Sequence, residues 1–302
     1  MTQLNLIPYS DDLLPRWAAL HNACFNGAHN FWPVGARDLR KRIAGAPGFD
    51  PDCLLFAEHG DELVGFAHGG PGGLYAVGVR PDARRAGVGS ALLRELQPRI
   101  GAGFDGRSLN PFWGNPRGPE TSFFGMVEGV GVDEQDRAAA GFFRKAGARH
   151  AATALNLRAT PADIDLEPGR DARSRAEVLG FEFALLMSRC PQMGHELASQ
   201  RPLRGNYFAA AATHEGVVAG LAVGFATPEL GPGRFGIFTL EVAKEHRRKA
   251  VGSALVMHLL LEMQSGPFTA CEVTTVPSDS PGALELYERL GFQPCARFVV
   301  WE

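Results

Sequence analysis

Several features that would place a chain in a special class are missing from these 302 residues. The five cysteines form no Cys-x-x-Cys pair, which argues against a zinc site or a disulfide framework and favours a reducing compartment. No apolar run is long enough for a membrane span, and the first residues lack a signal region, so we expect a cytoplasmic protein without a membrane partner. A net charge of −3 gives no reason to expect nucleic acid. We expect no metal either.

The composition that is present belongs to an ordinary globular protein, with 45% hydrophobic and 21% charged residues. The length predicts two domains, each able to bury its own core. A polar, turn-rich segment at 160–169 separates two similar successions of helices and strands, so we place the domains at 1–160 and 161–302. Within the second domain, the sequence predicts a long helix over 172–189.

One stretch joins a predicted strand, 74–79, to an amphipathic helix that begins near Gly87. The loop between them carries Arg84 and Arg85, with glycines at 87 and 89. A helix N-terminus directs unpaired backbone N–H groups at one point and adds partial positive charge there. Glycines let a ligand approach the backbone closely, and arginines add fixed charge. The stretch therefore predicts an anion site, most often a phosphate site.

The same stretch occurs a second time, 163 residues further along the chain and without a gap. Eight residues of the second copy repeat those of the first: Val242, Arg247, Arg248, Val251, Gly252, Ser253, Ala254 and Leu255. Such a repeat indicates a duplicated architecture.

The pattern Arg-x-x-Gly-x-Gly after a strand that ends in Val-x-Pro resembles the GNAT acyltransferases, and the repeat makes the chain similar to a tandem GNAT protein. The resemblance implies an α/β (α+β) fold of two tandem GNAT units, each a mixed, mostly antiparallel central sheet flanked by helices. It also implies that acetyl-CoA binds through its pyrophosphate in the loop. The implied cofactor-binding residues are Val77, Val79, Arg84, Arg85, Ala86, Gly87, Val88, Gly89 and Ser90 in the first copy, and Val242, Arg247, Arg248, Ala250, Gly252 and Ser253 in the second.

The two copies differ where the chemistry would depend on them. Ala250 replaces the first glycine of the loop, which predicts weaker binding or none in the second copy. The family's closing helix commonly carries a tyrosine that protonates the departing CoA thiolate, and Tyr287 matches it. Phe143 stands at that place in the first copy and cannot donate a proton. A tyrosine of the core or its rim is the alternative role for Tyr287.

The remaining groups of an acyl transfer are a base and a donor to the thioester carbonyl. In the family, a backbone N–H of the strand before the loop, near a bulge, holds the carbonyl, and Val79 and Val242 occupy that place. For the base we expect Glu241, next to Val242, while Glu272 on a neighbouring apolar strand is a second candidate. A salt bridge with nearby arginines is the alternative role for these carboxylates. In the first copy Gly78 takes the place of Glu241, and the candidates are the carboxylates on or near the flap, Glu120, Glu128 and Asp133, or a base that acts through water.

Taken together, the residues and the resemblance predict an acyl-CoA-dependent N-acetyltransferase that moves an acetyl group directly to an amine of a small molecule or peptide. The first loop is the better candidate for acetyl-CoA. The alternative is a non-catalytic or half-degenerate acyl-CoA-binding scaffold of the same fold. An aromatic, glycine-rich stretch at 110–131 predicts a flap over the site, and the protein is expected to be a monomer or a homodimer.

Overall fold

The computed structural model describes residues 4–29, 31, 33–46, 48–71, 73–101, 131–187, 206–226 and 233–302. These residues form a four-stranded and an eight-stranded sheet, whose strand pairs are antiparallel except for one, with helices against them. The expected fold class is confirmed. The strand expected at 104–109, a short helix expected at 194–200 and all of the flap except Gly131 lie outside the described ranges. No helix within those ranges is long and apolar enough to cross a membrane.

The first sheet is an antiparallel meander between two layers of helix. Its strands are β1 (Leu4–Pro8), β2 (Leu54–His59), β3 (Glu62–Gly70) and β4 (Gly73–Val79). Its helices are α1 (Leu14–Phe25), α2 (Ala36–Leu39) and α3 (Val88–Leu96). Because side chains alternate along a strand, Leu54 and Phe56 pack against α1 and α2, whereas Leu55 and Ala57 pack against α3.

The second sheet has the strand order β5-β12-β6-β11-β10-β9-β8-β7. Its strands are β5 (Val132–Asp133), β6 (His150–Ala159), β7 (Phe181–Met187), β8 (Asn206–His214), β9 (Val217–Ala226), β10 (Arg234–Val242), β11 (Ala270–Thr275) and β12 (Gln293–Trp301). The remaining helices are α4 (Arg137–Lys145), α5 (Glu167–Val178), α6 (Val251–Ser265) and α7 (Pro281–Arg289). Buried residues of α5, α6 and α7 form one core with one face of this sheet, which we call the helix face.

Strand β6 belongs to the first half of the chain but lies in the sheet of the second half. It pairs with β11 on one side and with β12, the last strand of the second half, on the other. Leu157 and Ala159 of β6 are buried in the core formed by α5, α6 and α7. The sequence division at 160/161 stays a prediction, and the eight-stranded sheet runs across it.

The long helix expected over 172–189 is wrong. The helix α5 ends at Val178, and Gly180 adopts a φ of +87°, a left-handed conformation that ends a helix at little steric cost. Phe181 and Phe183 then alternate with Glu182, a period of two that suits the edge strand β7. The apolar residues of this stretch fit both the helical period of 3.6 and the strand period of two, and the left-handed Gly180 ends the helix.

The position of β6 predicts which part of the molecule Leu157→Ala loosens. Leu157 is fully buried, so its truncation should cost about 2–5 kcal/mol of unfolding free energy in a urea titration. Hydrogen exchange should become faster in β10, β11 and β12, with β2 to β4 unchanged. The matched control is Leu92→Ala, fully buried against the first sheet, which should have the reverse pattern. Faster exchange of β2 to β4 in Leu157→Ala would contradict the strand placement.

Candidate functional site

The strands β10 and β11 separate in the middle of the second sheet. They are paired in parallel only at 234–237 and 270–273. Beyond that point β10 continues along β9 to Val242, and β11 continues along β6 to Thr275. The sheet therefore opens between the two strands, and we call this gap the cleft.

A β-bulge at Phe238 lies where the cleft begins. Ile237 and Thr239 of β10 face the adjacent residues Gly224 and Val223 of β9, so Phe238 is the extra residue. In the first sheet, Tyr75 occupies the equivalent place, since His68 and Gly69 face Ala76 and Leu74. The bulges thus lie four residues before Val79 and Val242, further from the loops than the sequence predicted.

The bulge decides which face Glu241 occupies. An extra residue reverses the alternation of side chains, so Thr239 and Glu241 lie opposite to the buried Ile237. Leu240 and Val242 instead lie near Gly252 of α6, on the helix face. Glu241 is exposed on the other side of the sheet, which we call the polar face.

The two loops before α3 and α6 have the same backbone conformation. Arg85 and Arg248 have φ values of +63° and +60°, and Gly87 and Ala250 have φ values of +83° and +65°. Ala250 therefore does not change the course of the loop, although a non-glycine residue in this region is strained. A Cβ built on Gly87 meets nothing within 4 Å, so the strain at this place comes from the backbone alone.

The first arginine of each loop is part of the loop's own structure. Arg84 donates from Nε to the carbonyl oxygen of Val79 at 3.0 Å, and Arg247 makes the same bond to Val242 at 3.0 Å. Arg84 also donates from Nη2 to the carbonyl of Cys24 at 2.9 Å. These side chains tie each loop to the strand before it.

The N-termini of α3 and α6 present free backbone donors. No side chain caps either helix, and the first helical bonds run from Ala91 to Gly87 and from Ala254 to Ala250. The amides of the first turn therefore point outward, as an anion site requires. Among the described residues, the second loop carries Lys244, Arg248 and Lys249 outside any ion pair, whereas Arg80 beside the first loop is paired with Glu62 and Asp82.

The helix that precedes the last strand differs between the halves. Tyr287 of α7 is buried in the core of the helix face and contacts Phe292. Phe143 of α4 stacks on Trp301 of β12, with ring centroids 5.8 Å apart. At the place of Glu241, the first half has Gly78, whose added Cβ would lie 2.5 Å from the Phe66 ring. Phe143 cannot donate a proton, and a side chain at the place of Glu241 would require the Phe66 ring to move.

Glu272 is the centre of a buried charge cluster on the polar face. Its Oε1 accepts from Arg158 Nε at 2.6 Å and from Arg234 Nη2, and its Oε2 accepts from Asn156 Nδ2 at 3.1 Å. The salt bridge that was the alternative role for Glu272 is therefore present. A fully buried carboxylate needs such partners, because burying a lone charge is very unfavourable.

His29 extends this cluster into the first half of the chain. Asn156 Nδ2 also lies 2.9 Å from His29 Nε2, and because the same amide nitrogen donates to a carboxylate, His29 accepts. Burial lowers the pKa of His29, which keeps its ring neutral and suits this role. Burial also raises the pKa of the Cys295 thiol, which donates to the carbonyl of Asn156 at 3.3 Å.

The sequence missed most of this cluster. It singled out Glu272, but not His29, Asn156, Arg158 or Arg234. A signal exists in β6, where Asn156 and Arg158 alternate with Leu155 and Leu157, so two polar residues share one face of an apolar strand. His29 follows α1 in a loop without any pattern.

Two parts of the chain match family models of acetyltransferases. Residues 182–292 match the acetyltransferase (GNAT) family, and residues 50–147 match an acetyltransferase (GNAT) domain. The two matches do not overlap, and together they cover about two thirds of the chain.

Curated relatives match over shorter stretches. The chain is 39% identical over 93 residues to a mycothiol acetyltransferase of Streptomyces bingchenggensis, which is 28% of this chain and 30% of the relative. It is 41% identical over 93 residues to a mycothiol acetyltransferase of Kineococcus radiotolerans, 29% of each chain. The matched stretch thus spans less than a third of these relatives' length.

Solved structures match over almost the whole chain. A tandem GNAT protein from the clavulanic acid biosynthesis pathway has a TM-score of 0.66 at 19% identity, covering 99% of this chain and 98% of that one. A GCN5-related N-acetyltransferase from Sphaerobacter thermophilus has a TM-score of 0.62 at 16% identity, covering 99% and 94%. At these identities the likeness is one of fold.

The left-handed residues of the two loops predict opposite effects of exchanging glycine and alanine. Ala250→Gly should raise the unfolding free energy by about 0.5–1 kcal/mol. Glycine removes the backbone strain of the folded state, and this gain exceeds the stabilisation of the unfolded chain by its added conformational entropy. Gly87→Ala should lower it by about 1 kcal/mol. Urea unfolding with an unchanged m-value measures both.

Gly141 in α4 is the matched control for these exchanges. Its Cβ would meet nothing within 4 Å and its φ is not positive, so Gly141→Ala should stabilise the protein by about 0.5–1 kcal/mol. A stabilisation of the same size by Gly87→Ala would show that the left-handed conformation does not limit this position.

Proposed function

Because the chain belongs to the GNAT acetyltransferase family and carries two of its domains, we propose that it transfers an acetyl group from acetyl-CoA to an amine. The catalytic residues are those of the second half, Tyr287 and Glu241. The cleft between β10 and β11 is the observation that supports this assignment, since it leaves an opening beside an uncapped helix N-terminus.

Acetyl-CoA would lie with its pyrophosphate at the first turn of α6 and its thioester in the cleft. Val251, Gly252 and Ser253 provide the backbone donors of that turn, and Arg248 and Lys249 add positive charge. A main-chain N–H of β10 would hold the thioester carbonyl and stabilise the oxyanion that forms during the attack.

The acid and the base lie on opposite faces of the sheet, as a direct transfer needs. On the polar face, Glu241 would take a proton from the acceptor amine while its nitrogen bonds to the acetyl carbon. The tetrahedral intermediate then collapses, and the C–S bond breaks. The CoA thiolate leaves toward the helix face and takes a proton from the neutral Tyr287 hydroxyl, which phenylalanine could not supply.

The first half would bind acetyl-CoA without transferring its acetyl group. Its loop has the same backbone as the second loop and retains Gly87, which supports binding. Phe143 and Gly78 stand where the second half has Tyr287 and Glu241, so acid and base are both missing there. The competing function for the whole chain is a scaffold that binds acyl-CoA without any transfer. Measuring turnover with amines distinguishes this scaffold from the proposed acetyltransferase.

The number of CoA molecules bound tests both loops at once. Isothermal titration should give two CoA per chain. Gly89→Glu and Gly252→Glu each put a carboxylate in the first turn of one helix, so each should remove one site, and only Gly252→Glu should abolish turnover.

The control for these two variants is Gly141→Glu, the same change in charge at an exposed helical position whose added Cβ meets nothing within 4 Å, which should leave both CoA sites. Thermal unfolding shows whether each variant folds. Two sites retained in Gly89→Glu or Gly252→Glu would refute the assignment of that loop.

Removing the acid or the base should lower turnover while CoA still binds. Tyr287→Phe and Glu241→Gln should each reduce kcat by about 10²–10⁴-fold, because each loses one proton transfer. The measurement is acetylation of an amine panel, which includes the unacetylated precursor of mycothiol because of the names of the relatives.

Tyr9→Phe is the control for the hydroxyl, since Tyr9 is remote from the cleft and bonds to Asp11. Unchanged kcat in Tyr287→Phe would exclude this tyrosine as the acid. CoA binding without acetylation of any amine by the wild type would favour the scaffold instead.

A further inference from the structure

Three buried polar atoms of the charge cluster have no hydrogen-bond partner among the described residues. They are Arg234 Nε, Asn156 Oδ1 and Thr274 Oγ1. Leaving a buried donor or acceptor without a partner is unfavourable, so most such atoms in proteins are paired. Three of them in one place indicate that the cluster is completed by a molecule that binds there.

The three atoms belong to one site on the polar face. Asn156 of β6 lies directly opposite Thr274 of β11, and paired residues share a face. Asn156 and Arg234 are joined through Glu272, which accepts from both. Strands β6, β10 and β11 therefore each contribute one of the unpaired atoms.

This site adjoins the cleft on the side of Glu241. Thr274 is the first residue of β11 beyond Val273, the last that pairs with β10. Glu241 lies on the same face of the sheet, across the cleft. A molecule bound to the cluster would therefore lie where the attacking amine has to approach the thioester.

The unpaired atoms define the chemistry of the ligand. Arg234 Nε and the Thr274 hydroxyl are donors, one of them cationic, and Asn156 Oδ1 is an acceptor. A carboxylate is the complement of the two donors, because guanidinium and carboxylate are matched in shape and charge. An N–H or O–H group of the same ligand would complete Asn156. A phosphate dianion fits less well, because the Glu272 carboxylate already shares the Arg234 guanidinium.

We infer that the acceptor is an amine that carries a carboxylate, of the α-amino acid type, and that Arg234 and Thr274 hold this carboxylate on the polar face. The inference rests on the proposed acetyl transfer. The Arg234 and Arg158 side chains are 18% and 38% exposed, so the cluster adjoins solvent.

The inference also gives residues of the first half a role in positioning the acceptor for the acetyl transfer proposed for the second half. His29, Asn156 and Arg158 all come from the first half, and they fix the position of Glu272 and hence of Arg234. The acceptor site is thus built by both halves, although only one carries the acid and the base.

The test compares α-amino acids with the matching α-amino amides as acceptors. The wild type should have a higher kcat/KM for the acids, and Arg234→Gln should reduce the ratio of acid to amide about 10- to 100-fold. Thr274→Val should reduce it less, without loss of stability, because it removes a hydroxyl that has no partner. Comparing ratios between variants cancels the different basicities of the two amines.

Thr275→Val is the matched control, a buried threonine on the other face of the same strand, and should leave the ratio unchanged. If Arg234→Gln does not fold, Arg234→Lys replaces it. This variant should also lower the ratio of acid to amide, but by less. A ratio unaffected by the Arg234 and Thr274 variants would overturn the inference.

A second measurement separates this inference from the proposed function. Titration of the protein with N-acetylalanine and with its amide should shift the Arg234 Nε–Hε resonance for the acid alone. If no amine is acetylated, the proposed function is wrong, and this shift still decides whether the cluster binds a carboxylate. No shift in an enzyme that acetylates amines would mean that the unpaired atoms hold only water.

Discussion

The pairing of β6 between β11 and β12 is the interaction on which the second half of the structure depends. It places Arg158 and Asn156 of the first half beside Glu272, and a carboxylate that is fully buried requires such partners. The two halves are therefore joined by a continuous sheet and by a charge cluster, in addition to the chain between them. A second junction, the stacking of Phe143 on Trp301, lies at the far end of β12.

A single extra residue in β10 determines the chemistry of the cleft. Without the bulge at Phe238, Glu241 would lie on the helix face against α6, and Val242 would lie on the polar face. The first sheet has a bulge at the equivalent Tyr75, so the strand before the loop carries the same irregularity in both halves. The difference between them lies in the side chains: Gly78 and Phe143 stand in the first half where the second half has Glu241 and Tyr287.

The sequence predicted the local elements of this structure better than their partners. Strand β4, the loop and α3 were predicted because each has its own periodicity or glycine pattern, and the repeat revealed β10 and α6. The pairing of β6 could not be predicted, because β6 and β12 are the corresponding last strands of two similar halves and nothing local states which sheet each joins. The cluster around Glu272 was missed for the same reason, since its members come from positions 29 to 272.

The place of β6 also explains how a sheet can hold a cleft at its centre. Beyond Val273, β11 has no bonds to β10, so Thr274 and Thr275 keep a paired edge only through Asn156 and Leu155 of β6. A strand with both edges free would expose unpaired backbone groups in a buried region, which is strongly unfavourable. Because β6 satisfies one edge of β11, the other edge is available to the cleft, and the cleft of the second half depends on a strand of the first half.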